Sequence, residues 1–228
     1  MDRFAQIDTF SRFTQVSRET ITSLNRYENF LIKSNKTLNL IGKTTLHHQM
    51  RTRGEVPDIT ERTVGRGRAT RKTIKIDGDQ HTIKTSDVGG ETLYWGEWLK
   101  DMRTRRVKYI IFMIDDRHMD KHYDIEQQLC WTFLVDTICS PYWDALNKKH
   151  RKKSHDYPIA VGLWANKFDL WKDKYPYNDI QSHPIFESFK DGMSKLNDRG
   201  IPCFKYIVSA KSDSEMVYRG IATMVDDY

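Results

Sequence analysis

Three short runs set the tightest limit on what this chain can fold into: Tyr109 to Ile114, Ile159 to Trp164, and Phe204 to Val208. Each is too short for a buried helix and rich in aliphatic and aromatic side chains. Each is also apolar at nearly consecutive positions, so both faces of the resulting strand must be covered. Helical stretches at Ile125 to Leu146 and Pro184 to Arg199 separate them, Glu91 to Arg105 precedes the first, and Ser214 to Asp226 follows the last. Strands alternating with helices predict βαβ units and a mostly parallel sheet with helices on both faces. Thr73 to Ile76 and Thr82 to Thr85 flank Asp77-Gly78-Asp79 and predict a hairpin with a tight turn, the antiparallel edge of the same sheet. With Phe30-Leu31-Ile32, the expectation is an α/β sheet of about six strands. Such sheets bind ligands in the loops beyond the carboxyl ends of their strands.

A length of 228 residues suits one large domain with an extension. Residues 1–28 carry their own helical stripe of Phe4, Ile7, Phe10, Phe13, Val16, Ile21 and Leu24. The expected division is a 1–28 N-terminal helical extension and a 29–228 α/β domain. Acidic Asp2, Asp8, Glu19 and Glu28 mix with the basic residues of the extension, and no Lys precedes position 33. A membrane-surface helix is richer in basic residues, so the stripe is expected to pack on its own domain or a partner, with membrane contact peripheral at most. The longest apolar run, Val107 to Ile114, is interrupted by Lys108 and falls short of the ~18–20 residues a bilayer requires. The start, Met1-Asp2-Arg3-Phe4, has no compact apolar signal segment, and the expected location is the cytoplasm. Cys130, Cys139 and Cys203 show no metal-ligand spacing and are read as buried free thiols.

Four loop motifs follow strands or precede a helix. Gly42-Lys43-Thr44-Thr45 ahead of a helical segment is the second half of a phosphate-binding loop. In such loops the Lys neutralises phosphate charge, the first hydroxyl reaches Mg²⁺, and helix N–H groups face the anion. Asp87-Val88-Gly89-Gly90-Glu91 comes directly after a strand, where an Asp can hold Mg²⁺ and a Gly can offer its N–H to a terminal phosphate. Asn166-Lys167-Phe168-Asp169 follows a third strand: the Asn can bond a purine N7, the Lys stem packs on the base, and the Asp accepts N1–H and N2–H₂ of guanine. Adenine lacks that donor pair, so the carboxylate discriminates. Ser209-Ala210-Lys211 closes the set, with a backbone N–H available for guanine O6.

These four loops, in this order, resemble the small GTPases of the Ras superfamily over about residues 28–228. Asp87-Val88-Gly89-Gly90, followed by Tyr94-Trp95-Gly96-Glu97-Trp98 and by Tyr109 to Asp115, looks most like the ADP-ribosylation-factor-like (Arf-like) branch, whose Asp-Val-Gly-Gly the G-protein α subunits share. The resemblance implies a P-loop NTPase-type G domain that binds GTP or GDP with Mg²⁺, hydrolyses GTP, and changes its surface toward effector and regulatory proteins. It places Mg²⁺ on Thr44, Thr63 and Asp87, and hydrolysis on Lys43, Gly90 and Glu91. Nucleotide binding falls to Gly42, Lys43, Thr44, Thr45, Gly90, Asn166, Lys167, Asp169, Ser209, Ala210 and Lys211. Thr63-Val64-Gly65 looks like the family's Thr-Ile-Gly and lies nearer the hairpin strand, which selects Thr63 over Thr60.

Two positions depart from the family pattern. Thr37 stands where the first loop glycine belongs, and Glu91 replaces the Gln that orients the attacking water. A carboxylate beside a phosphate adds repulsion, so the alternative expectation is a catalytically impaired GTP-binding scaffold acting through protein partners. Arg62, Arg66, Arg68 and Arg71 are read as solvating a loop. Lys148 to Lys153 lies in a stretch, Asn147 to Asp156, expected to be an exposed loop. It lacks the interleaved aromatics of a base-stacking surface, so nucleic acid is not an expected partner. His118 and His122, without an intervening acid, are read as a surface pair rather than a zinc site.

Overall fold

Strand β4, Ala160–Ala165, is buried at every position, as its unbroken apolar run requires. In the computed structural model the described residues are 45, 46, 49, 70–76, 79–85, 95–105, 107–114, 116–119, 124–149, 158–175 and 179–226. In chain order they form β1 (Thr70–Ile76), β2 (Asp79–Thr85), α1 (Trp95–Arg105), β3 (Tyr109–Ile114), α2 (Asp124–Ile138), α3 (Pro141–Lys149), β4, the short α4 (Phe168–Trp171), α5 (Lys190–Asp198), β5 (Cys203–Ile207) and α6 (Ser214–Asp226). Short 3₁₀ segments lie at Asp116–Met119 and Pro184–Phe189. Strands β3, β4 and β5 form one parallel sheet in that order, with Ile114 opposite Ala165 and Ala165 opposite Ile207. The three carboxyl ends are therefore level.

Strand alternation sorts the sheet's side chains onto two faces. Phe112, Ile114, Val161, Leu163, Ala165 and Ile207 pack with Trp131, Leu134, Val135 and Ile138 of α2 and with Met193 and Leu196 of α5. Met113 and Trp164 pack with Val217, Tyr218, Ile221 and Met224 of α6, spaced as one helical stripe. Asp213 Oδ1 caps α6 by accepting the Met216 N–H at 3.1 Å. Gly200, at φ 71°, ends α5 in the left-handed conformation that glycine adopts without penalty.

The α/β class, the parallel sheet and helices on both faces are as expected; other expectations need correction. The parallel sheet has three strands among the described residues, not six. β1 and β2 pair antiparallel, from Thr70 opposite Thr85 to Ile76 opposite Asp79, but form a separate two-stranded sheet rather than an edge of the larger one. Asp79, expected in the turn, belongs to β2. The single helix expected over Ile125 to Leu146 is two helices. Pro141 has no N–H to continue α2, and Ser140 Oγ instead accepts the Trp143 N–H at 3.2 Å, starting α3. Pro184 likewise opens a 3₁₀ turn that precedes α5. Asn147, Lys148 and Lys149 are the last turn of α3, not loop. Residues 1–28, the Phe30–Ile32 strand, positions 150–156 and His122 lie outside the described residues. No helix among the described residues is long and apolar enough to cross a membrane.

The three cysteines are free and partly buried. Burial pushes the Cys203 thiol up to about 12. It also raises Cys139, with Arg199 pulling the other way. Neither ionises near neutral pH, which leaves both chemically quiet.

Two tryptophan rings fill the space beside glycines. Trp131, buried in α2, donates its indole N–H to the Phe189 carbonyl at 3.2 Å, and its ring occupies the space a side chain on Gly192 would need. Trp164 likewise occupies the space that side chains on Gly162 of its own strand and on Gly220 of α6 would need. Both rings are at most 2% exposed and have no room to retreat. Gly192→Ala should therefore lower unfolding stability by about 1–3 kcal/mol through overpacking, despite alanine's better helix propensity. Urea denaturation monitored by circular dichroism checks this, and a stabilised variant would contradict the packing account.

Candidate functional site

The level carboxyl ends of β3, β4 and β5 bring the following loops together. Beyond β4, the Asn166 N–H donates to the Ile114 carbonyl of β3 at 2.7 Å, and the Val208 N–H donates back to the Ala165 carbonyl at 2.8 Å. The chain then turns sharply. Lys167 takes the left-handed conformation (φ 61°, ψ 33°) and precedes α4. It is the one non-glycine residue at positive φ among the described residues, a conformation that costs about 1–2 kcal/mol and persists only where neighbours impose it.

Those neighbours come from the end of β5. The Phe168 N–H donates to the Val208 carbonyl at 3.2 Å, and the Asp169 N–H donates to Ser209 Oγ at 2.8 Å. The first free N–H groups of a four-residue helix, which could not stand alone, are thus satisfied by the neighbouring loop. The Ala210 N–H donates to Asn166 Oδ1 at 3.1 Å in a buried contact. Because a backbone N–H can only donate, this bond fixes the amide's orientation: Oδ1 faces Ala210, and Nδ2 is the donating end left for an acceptor beyond the loop. Asn166, Ser209 and Ala210 are buried, whereas Asp169 and Lys211 are exposed and Lys167 is partly so. The result is a hydrogen-bonded base holding a carboxylate and two ammonium groups at the carboxyl end of the sheet.

The structure thus brings together Asn166, Lys167, Asp169, Ser209, Ala210 and Lys211, two of the four motifs. The Ala210 N–H, expected to be available for guanine O6, donates here to Asn166 Oδ1 and so ties the two loops. Of the first motif, Thr45 is helical and 6% exposed. Its neighbour Leu46 belongs to the cluster that contains Val208, Ala210 and Val217. Tyr218 Oη donates to the Gln49 carbonyl at 3.2 Å. The segment after Gly42-Lys43-Thr44 therefore packs beside α6, the helix that follows Ser209-Ala210-Lys211. Gly42, Lys43, Thr44, Thr63, Asp87, Gly90 and Glu91 lie outside the described residues, as does Thr37.

One feature of the site has no sequence signature: Trp171 of α4, 1% exposed, donates its indole N–H to the Asn166 carbonyl at 2.7 Å. Among the described residues no cluster of three His, Cys, Asp or Glu side chains could hold a metal. No family model matches the chain, and a search of curated proteins finds no match either.

The two ties between the loops should be energetically coupled. Asn166→Ala leaves the buried Ala210 N–H unpaired and should cost about 1–3 kcal/mol; Ser209→Ala, at a less buried contact, should cost about 1 kcal/mol. The double variant should lose less than the sum, by at least about 0.5 kcal/mol, because separated loops have little left to lose. Strict additivity in urea unfolding would show that the bonds act independently.

Proposed function

We propose that this chain binds guanine nucleotides and acts as a GTP-binding switch with a G-domain-type site. The observation that carries the reading is the mutual bracing of Asn166-Lys167-Phe168-Asp169 and Ser209-Ala210-Lys211, through Asn166 Oδ1 to Ala210 N–H and Asp169 N–H to Ser209 Oγ. Each tetrapeptide or tripeptide alone is unremarkable in composition. Their meeting at adjacent carboxyl ends, with a carboxylate facing outward, is what recognition of a purine with two edge donors requires.

In this reading the Asp169 carboxylate accepts N1–H and N2–H₂ of guanine. Asn166 Nδ2 donates to N7, and the Lys167 and Lys211 stems cover the base. The packing of Leu46 into the cluster around Ala210 supports a phosphate loop, Gly42-Lys43-Thr44-Thr45, close to the base-recognition loops. Thr44, Thr63 and Asp87 would hold Mg²⁺; two hydroxyls and a carboxylate are the hard oxygen donors that ion takes. Bound there, Mg²⁺ would neutralise phosphate charge. Gly90 and Glu91 would face the terminal phosphate, and the nucleotide-dependent surface would serve effector and regulatory proteins.

Asp169→Asn keeps the side chain's shape but removes an acceptor. It should weaken GDP binding by at least about a hundredfold and improve binding of xanthosine diphosphate, whose edge offers the complementary pattern. Isothermal calorimetry with both ligands decides it, and an unchanged GDP affinity would refute the assignment.

The second reading, a GTP-binding scaffold without turnover, is favoured by Glu91 and Thr37. Single-turnover phosphate release separates the two. Measurable release that falls in Lys43→Ala supports the switch with hydrolysis; retained GTP with no phosphate over hours supports the scaffold.

A further inference from the structure

Resting on the guanine-nucleotide reading, we propose that Trp171 is a positioning residue: its indole N–H holds the Asn166–Asp169 loop from the interior and so sets the attitude of the Asn166 amide and Asp169 carboxylate toward a bound base. The bond to the Asn166 carbonyl is 2.7 Å, short for an N–H donor, and buried. The Trp171 ring is itself fixed on two sides. Phe168 packs against it edge-on at 5.0 Å between centroids, and His183 lies 5.5 Å away.

His183 is equally constrained. Its Nδ1 accepts the Ile185 N–H at 3.1 Å, so the ring proton sits on Nε2 and is donated to the Tyr175 carbonyl at 3.2 Å. The Tyr175 N–H donates to the Trp171 carbonyl at 3.0 Å, which closes the circuit. The partnership is not the default for indoles in this core: among the described residues Trp95 and Trp164 bury their N–H groups without a partner. The loop gains most from such a hold because Lys167 departs from the favoured backbone regions in its middle.

The test compares Trp171→Phe with Trp131→Phe in the full chain. Both remove a buried indole bond to a backbone carbonyl, but Trp131 bonds Phe189, outside the loop. Amide hydrogen exchange over peptides spanning 166–171 should rise in Trp171→Phe and stay at the wild-type level in Trp131→Phe. GDP titration should show about fivefold weaker binding in Trp171→Phe only, the fold-change of one neutral hydrogen bond. Unchanged exchange at 166–171 in Trp171→Phe, or an equal change in both variants, overturns the proposal whatever the nucleotide affinity. Faster exchange in Trp171→Phe alone, with no GDP binding by the wild-type protein, supports the positioning role and refutes the guanine reading.

Discussion

Asn166 commits three polar groups to three different elements, and the described site depends on that. Its N–H bonds the Ile114 carbonyl of β3, its carbonyl accepts the Trp171 indole, and Oδ1 accepts the Ala210 N–H beyond β5. With the residue only 4% exposed, each of these groups would be costly to leave unpaired, about 1–3 kcal/mol apiece. The net gain from each bond is smaller than that penalty. The arrangement therefore acts less as glue than as a constraint: an alternative loop conformation must break several bonds at once in a place water does not reach.

The constraint works because the sheet beneath it does not yield. β4 is buried at every position, and Trp164 within it fills the space that side chains on Gly162 of the same strand and Gly220 of α6 would need. Cores of this density transmit displacement rather than absorb it. At the carboxyl end the polarity of the chain reverses within four residues. Trp171 turns inward, while Asp169 and Leu170 turn outward, Leu170 at 75% exposure. A helix so short contributes almost nothing by itself; it serves as a bracket whose ends are fixed by β5 and by Trp171.

The strands of the main sheet were legible because consecutive apolar residues over five or six positions leave few alternatives. The break between α2 and α3 was visible in principle at Pro141, but a continuous apolar stripe on either side masked it. Two Lys residues extended α3 beyond its expected end, since charge on the last turn of a helix favours it and is no sign of loop. That Asn166-Lys167-Phe168-Asp169 and Ser209-Ala210-Lys211 would lie in loops directly after strands could be read from the sequence. The roles of Trp171 and Ala210 could not. Trp171 reaches Asn166 only because Lys167 turns the chain back on itself, and a backbone N–H such as Ala210's has no signature in a sequence at all.

Binding and turnover would draw on different atoms of such a site. A carboxylate selecting a base acts on an edge of the ligand far removed, by the length of a ribose and its phosphates, from the bond that hydrolysis breaks. In both proposed readings, Glu91 in place of a neutral amide would change the charge beside the terminal phosphate and leave Asp169 untouched. The switch and scaffold readings therefore share one recognition geometry and part at the phosphate end, where repulsion between carboxylate and phosphate would compete with the neutralising pull proposed for Lys43 and Mg²⁺. Selection could have altered turnover there without disturbing the Asn166 junction, because the bonds that hold that junction lie within the sheet and its two loops.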